Sequence, residues 1–388
     1  MFSPTTTRAL RRAPSPNPKT YLCPVCRYSS STKPNRIIFS GIQPTGVPHL
    51  GNYLGALRPW VKLQDGAAPD DQLLFSIVDL HAITIKQDSS LLRQWRKEMF
   101  ASFLAVGLDP KKSILYAQSD VPAHAELMWI LSCSASMGYL SRMTQWKSKM
   151  SLPSNANPFD TSTSKKKDAP ALKLGLFSYP VLQAADILLY KTTHVPVGED
   201  QAQHLEFARE LAITFNHSFG AELLVPPQTI ISPAKRVMSL AEPTKKMSKS
   251  DPDVKSRILI TDTKEKIHKK IRVALTDSIQ GVSYNRETRP GVSNLIDIMY
   301  HFQEEQFTSP EQLAQDLFGP ETSLKALKEK VADTVDEHLR EVREAFNNAM
   351  SMGDAEMSGV ARESANTANQ LASSNLKTIK AQMGLGWD

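Results

Sequence analysis

The sequence predicts an α/β fold: a parallel sheet covered by helices on both faces, followed by a smaller C-terminal α-helical domain. Two observations carry this reading. Between residue 35 and about residue 258, short apolar runs alternate with longer stretches whose apolar residues recur at helical spacing. Beyond about Leu259 the strand signals fade and helical patterns take over. Strand–helix alternation of the first kind places helices against both faces of a parallel sheet, and such sheets bind ligands at the carboxyl ends of their strands.

Taken in order, Arg36–Ser40 (RIIFS) reads as the first strand and Gly51–Leu63 as the helix that follows it. Gln72–Leu80 is the second strand, and Ser90–Leu108 carries the 3.6-residue stripe of a helix. Ser113–Ala117 is a third strand, with a helix near Ala123–Met137, and His194–Gly198 a fourth, leading into a helix from Asp200 to Phe215. Ser151–Pro170, rich in Ser, Asn, Pro and Lys, has no periodicity and reads as a mobile surface loop, with Lys165–Lys167 a solvated charge run. In the C-terminal part Thr263–Leu275, Leu324–Ala349 and Glu356–Met383 look helical. Pro290-Gly291 reads as a break between the first two, and the last helix is expected to pack back on the first. The domain organisation is therefore a leader over 1–34, an α/β domain over 35–258 and a helical domain over 259–388.

Composition narrows the function classes. The net charge of +6 is concentrated in the leader: residues 1–34 hold Arg8, Arg11, Arg12, Lys19, Arg27 and Lys33 and no acidic residue. Removing those six from the 46 basic residues leaves the same number as the 40 acidic ones, so the body is close to neutral. An Arg-, Ser- and Thr-rich, acid-free leader without a continuous apolar core has the character of a disordered mitochondrial transit peptide. No apolar run reaches membrane-spanning length, and no membrane association is expected. Cys23 and Cys26 have zinc-knuckle spacing, but Cys133 is the only other cysteine, so no zinc site and no disulfide framework are expected.

Two segments carry chemistry. In IFSGIQPTGVPHLGNYLGAL (Ile38–Leu57), a Gly/Pro-rich turn joins strand to helix, where free backbone N–H groups and the helix dipole favour a phosphate. His49 and Asn52, three residues apart, share one face of the first turn, and both offer hydrogen-bond donors. A capped helix start with a surface histidine would look the same. The second segment, PTKKMSKSDP (Pro243–Pro252), sets Lys245, Lys246 and Lys249 among serines and between prolines, outside any amphipathic pattern. Such a cationic loop is able to close over a polyphosphate and stabilise charge on a leaving group.

His49-Leu50-Gly51-Asn52 together with Lys246–Ser250 (KMSKS) resembles the paired motifs of class I aminoacyl-tRNA synthetases. FSGIQPTGV, VDLHAIT, AVGLDP, VPAHAELMW, AADILLY, VPVGEDQAQHLEFARELA and QMGLG extend the resemblance from about Ile38 to the C-terminus, in the bacterial and mitochondrial tryptophan branch. The resemblance implies a Rossmann-type catalytic domain, an anticodon-binding helical domain, a homodimer, and residence in the mitochondrial matrix. It implies L-tryptophan, ATP with Mg²⁺ and tRNA(Trp) as ligands. ATP contacts are implied for Gln43, Pro44, Thr45, Gly51, Asn52, Gly198, Glu199, Asp200, Val237, Lys246, Met247, Ser248, Lys249 and Ser250, with Gln201 nearby. His49, Asn52, Lys149, Lys246 and Lys249 are implied as the groups that stabilise the departing pyrophosphate. Asp186 is implied as acceptor of the indole N–H, in a pocket formed by Phe39, His81, Gln183, Val195 and Val197.

One departure keeps a sister reading open. Tyr179, Gln183 and Asp186 lie on one helical face, and the tyrosine-activating synthetases use Gln and Asp at similar spacing, whereas methionine is common at position 183 in the tryptophan branch. A non-catalytic RNA-binding descendant of a synthetase is the alternative from another class. It predicts decay of the phosphate motifs, which are intact here. Trp95, Trp129 and Trp146 read as packing residues, Met128, Met137, Met143 and Met150 as filler, and His204 as structural. Lys269, Lys270 and Arg272 are candidates to face the anticodon stem.

Overall fold

In the computed structural model of the protein the described residues are 35–150, 152, 153, 155, 156, 158, 172–198, 201–231, 237–249 and 251–387. The leader with Cys23 and Cys26, most of the 151–170 loop with Lys165–Lys167, and three expected ATP contacts, Glu199, Asp200 and Ser250, lie outside them.

The chain runs through β1 (Ile37–Ile42), α1 (Leu50–Asn52), a π-helical turn at Tyr53–Leu57, α2 (Arg58–Asp65), β2 (Gln72–Ile77), α3 (Asp79–Ala82), α4 (Ser89–Ala105) and β3 (Ile114–Ala117). It continues through α5 (Ala123–Ser132), α6 (Met137–Arg142), α7 (Thr144–Lys149), α8 (Leu174–Leu188), β4 (His194–Val197), α9 (Ala202–Phe219) and β5 (Gln228–Ile231). The remainder is helical: α10 (Lys264–Arg272), α11 (Pro290–Phe302), α12 (Pro310–Leu317), α13 (Leu324–Ser351) and α14 (Asp354–Gln382).

The strands form one parallel sheet in the order β3-β2-β1-β4-β5. At its head Arg36 grips Asp71 through its backbone N–H (2.9 Å) and its guanidinium (Nε 3.0 Å), which sets the register Ile37 opposite Gln72. The Arg36 hydrogen bonds hold the Asp71 carboxyl down at about 2. Under the sheet Trp60 of α2 stacks on Phe75 of β2 at 4.8 Å and meets the edge of Phe103 of α4 at 5.8 Å. Residues 35–388 form one packed unit. The helical part is joined to the sheet: α13 packs on α4, α10 and α11, while α14 lies chiefly against β3 and α5. Ser364 of α14 accepts the Leu115 N–H at 2.7 Å, so this helix covers the open edge of β3.

Several expectations change. The fifth strand, Gln228–Ile231, follows two prolines and is too short to show a period. Pro290 starts α11 rather than breaking the chain, because at the first helical position proline's fixed φ fits and its missing N–H costs nothing. The apolar residues of that helix, Val292, Leu295, Ile296, Met299 and Phe302, recur at helical spacing, and nearly all its other residues are buried as well. The second strand stops at Ile77, where α3 begins two residues later. It is α13, not the last helix, that packs on the first helix of the C-terminal part. Trp146 is buried as expected, but Trp129 is 73% exposed and packs against little.

Candidate active site

Strands leave β1 toward β2 and β3 on one side and return through β4 on the other, so the order reverses between β1 and β4. In a doubly wound sheet the crevice opens at the carboxyl ends of that pair. A cleft of about 360 Å³ lies there, lined from β1 by Phe39 to Gln43 and from β4 by Val195, Pro196 and Gly198, a size typical of ligand pockets. Ser40 Oγ donates to the Pro196 carbonyl at 3.3 Å and ties the two strand ends. Gly41 makes the close approach of β1 to Val78 possible, since a Cβ there would sit 2.6 Å from Val78 Cγ1. Gly55 and Ala56 of the π turn, and Trp60, form the opposite wall.

One end of the cleft is built on α8, whose face carries Tyr179, Gln183 and Asp186, all lining the cavity. Asp186 is 1% exposed. Gln118 Nε2 donates to its Oδ1 at 2.6 Å, and His81 Nε2 lies 2.8 Å from Oδ2. Burial pushes the Asp186 carboxyl upward, but His124 and then His81 more than offset that and hold it at about 2, so it is ionised. Gln183 is pinned by His204 Nδ1 (2.8 Å) and donates to Gln201 at 3.2 Å. The Tyr179 hydroxyl meets His204 Nε2 at 3.2 Å and Gln145 at 2.9 Å. His204 is thus part of the pocket wall's polar framework. Lys149, at the end of α7, reaches the same cavity with its ammonium 4.9 Å from the Tyr179 ring centre, and burial lowers its pKa.

The other cluster surrounds the start of α1. Asn52 N–H donates to His49 Nδ1 (3.3 Å) while the His49 N–H donates to Asn52 Oδ1 (3.2 Å), a reciprocal cap. Burial, then the charges of Lys249, Arg257 and Lys246, lowers the His49 pKa to about 3. A neutral imidazole whose Nδ1 accepts must carry its proton on Nε2, so His49 presents a donor. Gly51 is required beneath that ring, because a Cβ would lie 2.9 Å from His49 Cε1. Gly46, at φ 92°, turns its carbonyl to the Lys249 ammonium at 2.6 Å. Burial lowers the Lys249 pKa to about 8, against an upward pull from Glu98.

The lysine loop is fastened to this region through backbone contacts. Met247 N–H donates to the Val237 carbonyl at 3.0 Å, Met238 pairs with Lys246, and Leu50 N–H donates to Ile258 at 2.8 Å. Val237 and Met247 are buried and Lys246 is exposed. Among the described residues expected at ATP, Gln43 and Gly198 line the cleft. His49, Gly51, Asn52, Val237 and Lys249 cluster just beyond it, where the turn of Pro44, Thr45 and Gly46 leads on from Gln43. Phe39, His81, Gln183, Asp186 and Val195 line the same cavity, and Val197 ends β4. Sequence reading missed Gln118 and His124 behind Asp186, since their positions on the turn after β3 and on α5 give no periodic signal, and missed Arg257 near His49.

A family model for class I tRNA synthetases of the tryptophan and tyrosine type matches residues 31–340. The mitochondrial tryptophan–tRNA ligase of Schizosaccharomyces pombe is 43% identical over 358 residues, covering 92% of this chain and 97% of that protein. The mitochondrial tryptophan–tRNA ligase of Saccharomyces cerevisiae is 44% identical over 358 residues, with 92% and 93% covered. The crystal structure of the Campylobacter jejuni tryptophanyl-tRNA synthetase, complexed with ADP and tryptophan, superimposes with a TM-score of 0.70 at 31% identity, over 90% of this chain and all of that one. The Rossmann-type sheet agrees with these relatives, and the chain belongs to the class I aminoacyl-tRNA synthetases, in the tryptophan–tRNA ligase family.

Proposed function

We propose that the protein joins L-tryptophan to tRNA(Trp) for mitochondrial translation, in two steps at the β1/β4 crevice. The carboxylate of tryptophan attacks the α-phosphorus of ATP in line, giving tryptophanyl-adenylate and pyrophosphate. A terminal hydroxyl of the tRNA then attacks the adenylate carbonyl, forming the tryptophanyl ester as the anhydride bond breaks and AMP leaves. The observation that carries this reading is Asp186: an ionised, buried carboxylate at one end of a cavity lined by Phe39, Trp60, Val78 and Val195 together with Gln145, Lys149 and Gln183. Such a group can accept from a further buried donor, and the indole N–H is one.

Attack joins two anions, so the first step depends on positive groups that oppose charge on the departing pyrophosphate. The Nε2–H of His49, the Asn52 side-chain amide, Lys149 and the Lys246/Lys249 loop are the candidates, and Mg²⁺ enters with the triphosphate. Glu199 and Asp200 are proposed at the ribose, and Ser248 and Ser250 at the phosphates. The helices of 259–388 are proposed as the anticodon-binding part, and the active form as a homodimer in the mitochondrial matrix. The tyrosine reading is disfavoured by relatives at 43–44% identity that are tryptophan–tRNA ligases. Purified protein is expected to catalyse tryptophan-dependent ATP–pyrophosphate exchange. Exchange that depends on tyrosine, or none with any amino acid, overturns the assignment.

A further inference from the structure

The carboxylate of Asp186 is held from three separate elements. Gln118, in the turn after β3, and His124, on α5, both address Oδ1, at 2.6 Å and 2.7 Å, the histidine contact being oblique. His81, on α3, addresses Oδ2 at 2.8 Å. His124 is fully buried, and its second nitrogen, Nε2, lies 3.1 Å from the Tyr116 hydroxyl and 3.0 Å from that of Tyr190. A tyrosine O–H donating to Nε2 places the ring proton on Nδ1, the nitrogen turned to the carboxylate. The tyrosine pair therefore sets the tautomer of His124.

Each carboxylate oxygen offers roughly two acceptor sites. Gln118 donates to Oδ1 and His124 Nδ1 crowds that same oxygen at 2.7 Å without hydrogen-bond alignment, whereas His81 alone addresses Oδ2, so the open acceptor position is on Oδ2. An indole N–H is a donor and nothing else, and it fits that position without leaving anything unmatched. A phenol is both donor and acceptor. Its proton could reach Oδ2, but its oxygen would then be buried beside donors already committed to Asp186, which leaves it uncompensated. The donors already on this carboxylate thus separate two aromatic amino acids that a bare aspartate would not.

We propose that His124, with its tautomer set by Tyr116 and Tyr190, is a specificity-determining positioning residue that, with Gln118 and His81, leaves Asp186 one open acceptor position and so selects an indole over a phenol. The inference rests on the reading of Asp186 as the indole acceptor, and its test separates the two.

The measurement is ATP–pyrophosphate exchange by the full chain with tryptophan and with tyrosine, as the ratio of kcat/KM values. Phenylalanine at 124 keeps the ring shape without the donor, whereas asparagine keeps an N–H close to the position of Nδ1. His124→Phe is expected to lower the tryptophan:tyrosine ratio at least tenfold, mainly through KM, and His124→Asn to restore most of it. A ratio within twofold of wild type in His124→Phe overturns the inference. So does Phe retaining selectivity better than Asn, which is the signature of packing alone. Should His124→Phe not fold, the double variant Tyr116→Phe, Tyr190→Phe takes its place: a threefold or larger drop in the ratio supports the inference and an unchanged ratio overturns it. Asp186→Asn provides the separation. If it leaves tryptophan exchange intact, the reading of Asp186 fails and this inference with it. If it abolishes exchange while His124→Phe keeps its selectivity, only the inference fails.

Discussion

Replacing Gly51 by alanine separates folding from chemistry. The new methyl would sit 2.9 Å from His49 Cε1 and 3.0 Å from Nδ1, closer than nonbonded carbon and nitrogen approach, so the imidazole must swing away by several tenths of an ångström. That movement breaks the 3.3 Å bond from Asn52 N–H to His49 Nδ1 and turns the Nε2–H from its direction. Two stability terms oppose each other. Losing the cap costs about 0.5–2 kcal/mol. Alanine in place of glycine in a helical segment returns about 1 kcal/mol. The stability of Gly51→Ala should therefore stay within about 1 kcal/mol of wild type by denaturant titration. Catalysis has no such compensation. A misplacement on the order of 1 Å costs up to about 100-fold, so a smaller shift of the His49 donor should lower kcat/KM for ATP roughly 10- to 100-fold in pyrophosphate exchange. If the loss acts through His49, the variant Gly51→Ala, His49→Ala should be no worse than His49→Ala alone. Wild-type kcat/KM in Gly51→Ala, or full additivity in the double variant, refutes the assignment of His49 as a positioned donor.

Two further outcomes follow from the site. Lys249 has its pKa lowered to about 8, so in the free protein its charge is present below that pH and is lost above it. As kcat/KM reports the free enzyme, its value for ATP should fall above pH 8 with a slope approaching about tenfold per pH unit. Lys249→Arg, which stays charged, should flatten this limb whatever its absolute rate, and a limb unchanged in that variant moves the role elsewhere, Lys149 being the next candidate. Asp186→Ala should lower kcat/KM for tryptophan by roughly 2–4 kcal/mol in transition-state terms, and a near-wild-type value would remove Asp186 from the amino-acid site.

The sequence by itself determined the elements with strong local signatures. The IIF run of β1, the stripe of α4 with Asp88 as its N-cap, and the long patterns of α13 and α14 depend on neighbours a few residues away, so their spacing was enough. The motif glycines and lysines were legible for the same reason, as was the shared face of Tyr179, Gln183 and Asp186. Tertiary structure decided everything that depends on residues far apart in the chain. Helix α11 buries even its polar Asn294 and Asp297 because its neighbours cover every side of it, and the short β5 exists only because β4 supplies its hydrogen-bond partners. The state of His49 is set by burial and by lysines some two hundred residues later. The ionisation of Asp186 depends on His124 and His81, which arrive from α5 and α3. Local pattern encodes which face of an element is apolar, but the burial and charge that tune a functional group are sums over its spatial neighbours, and only the folded chain chooses those.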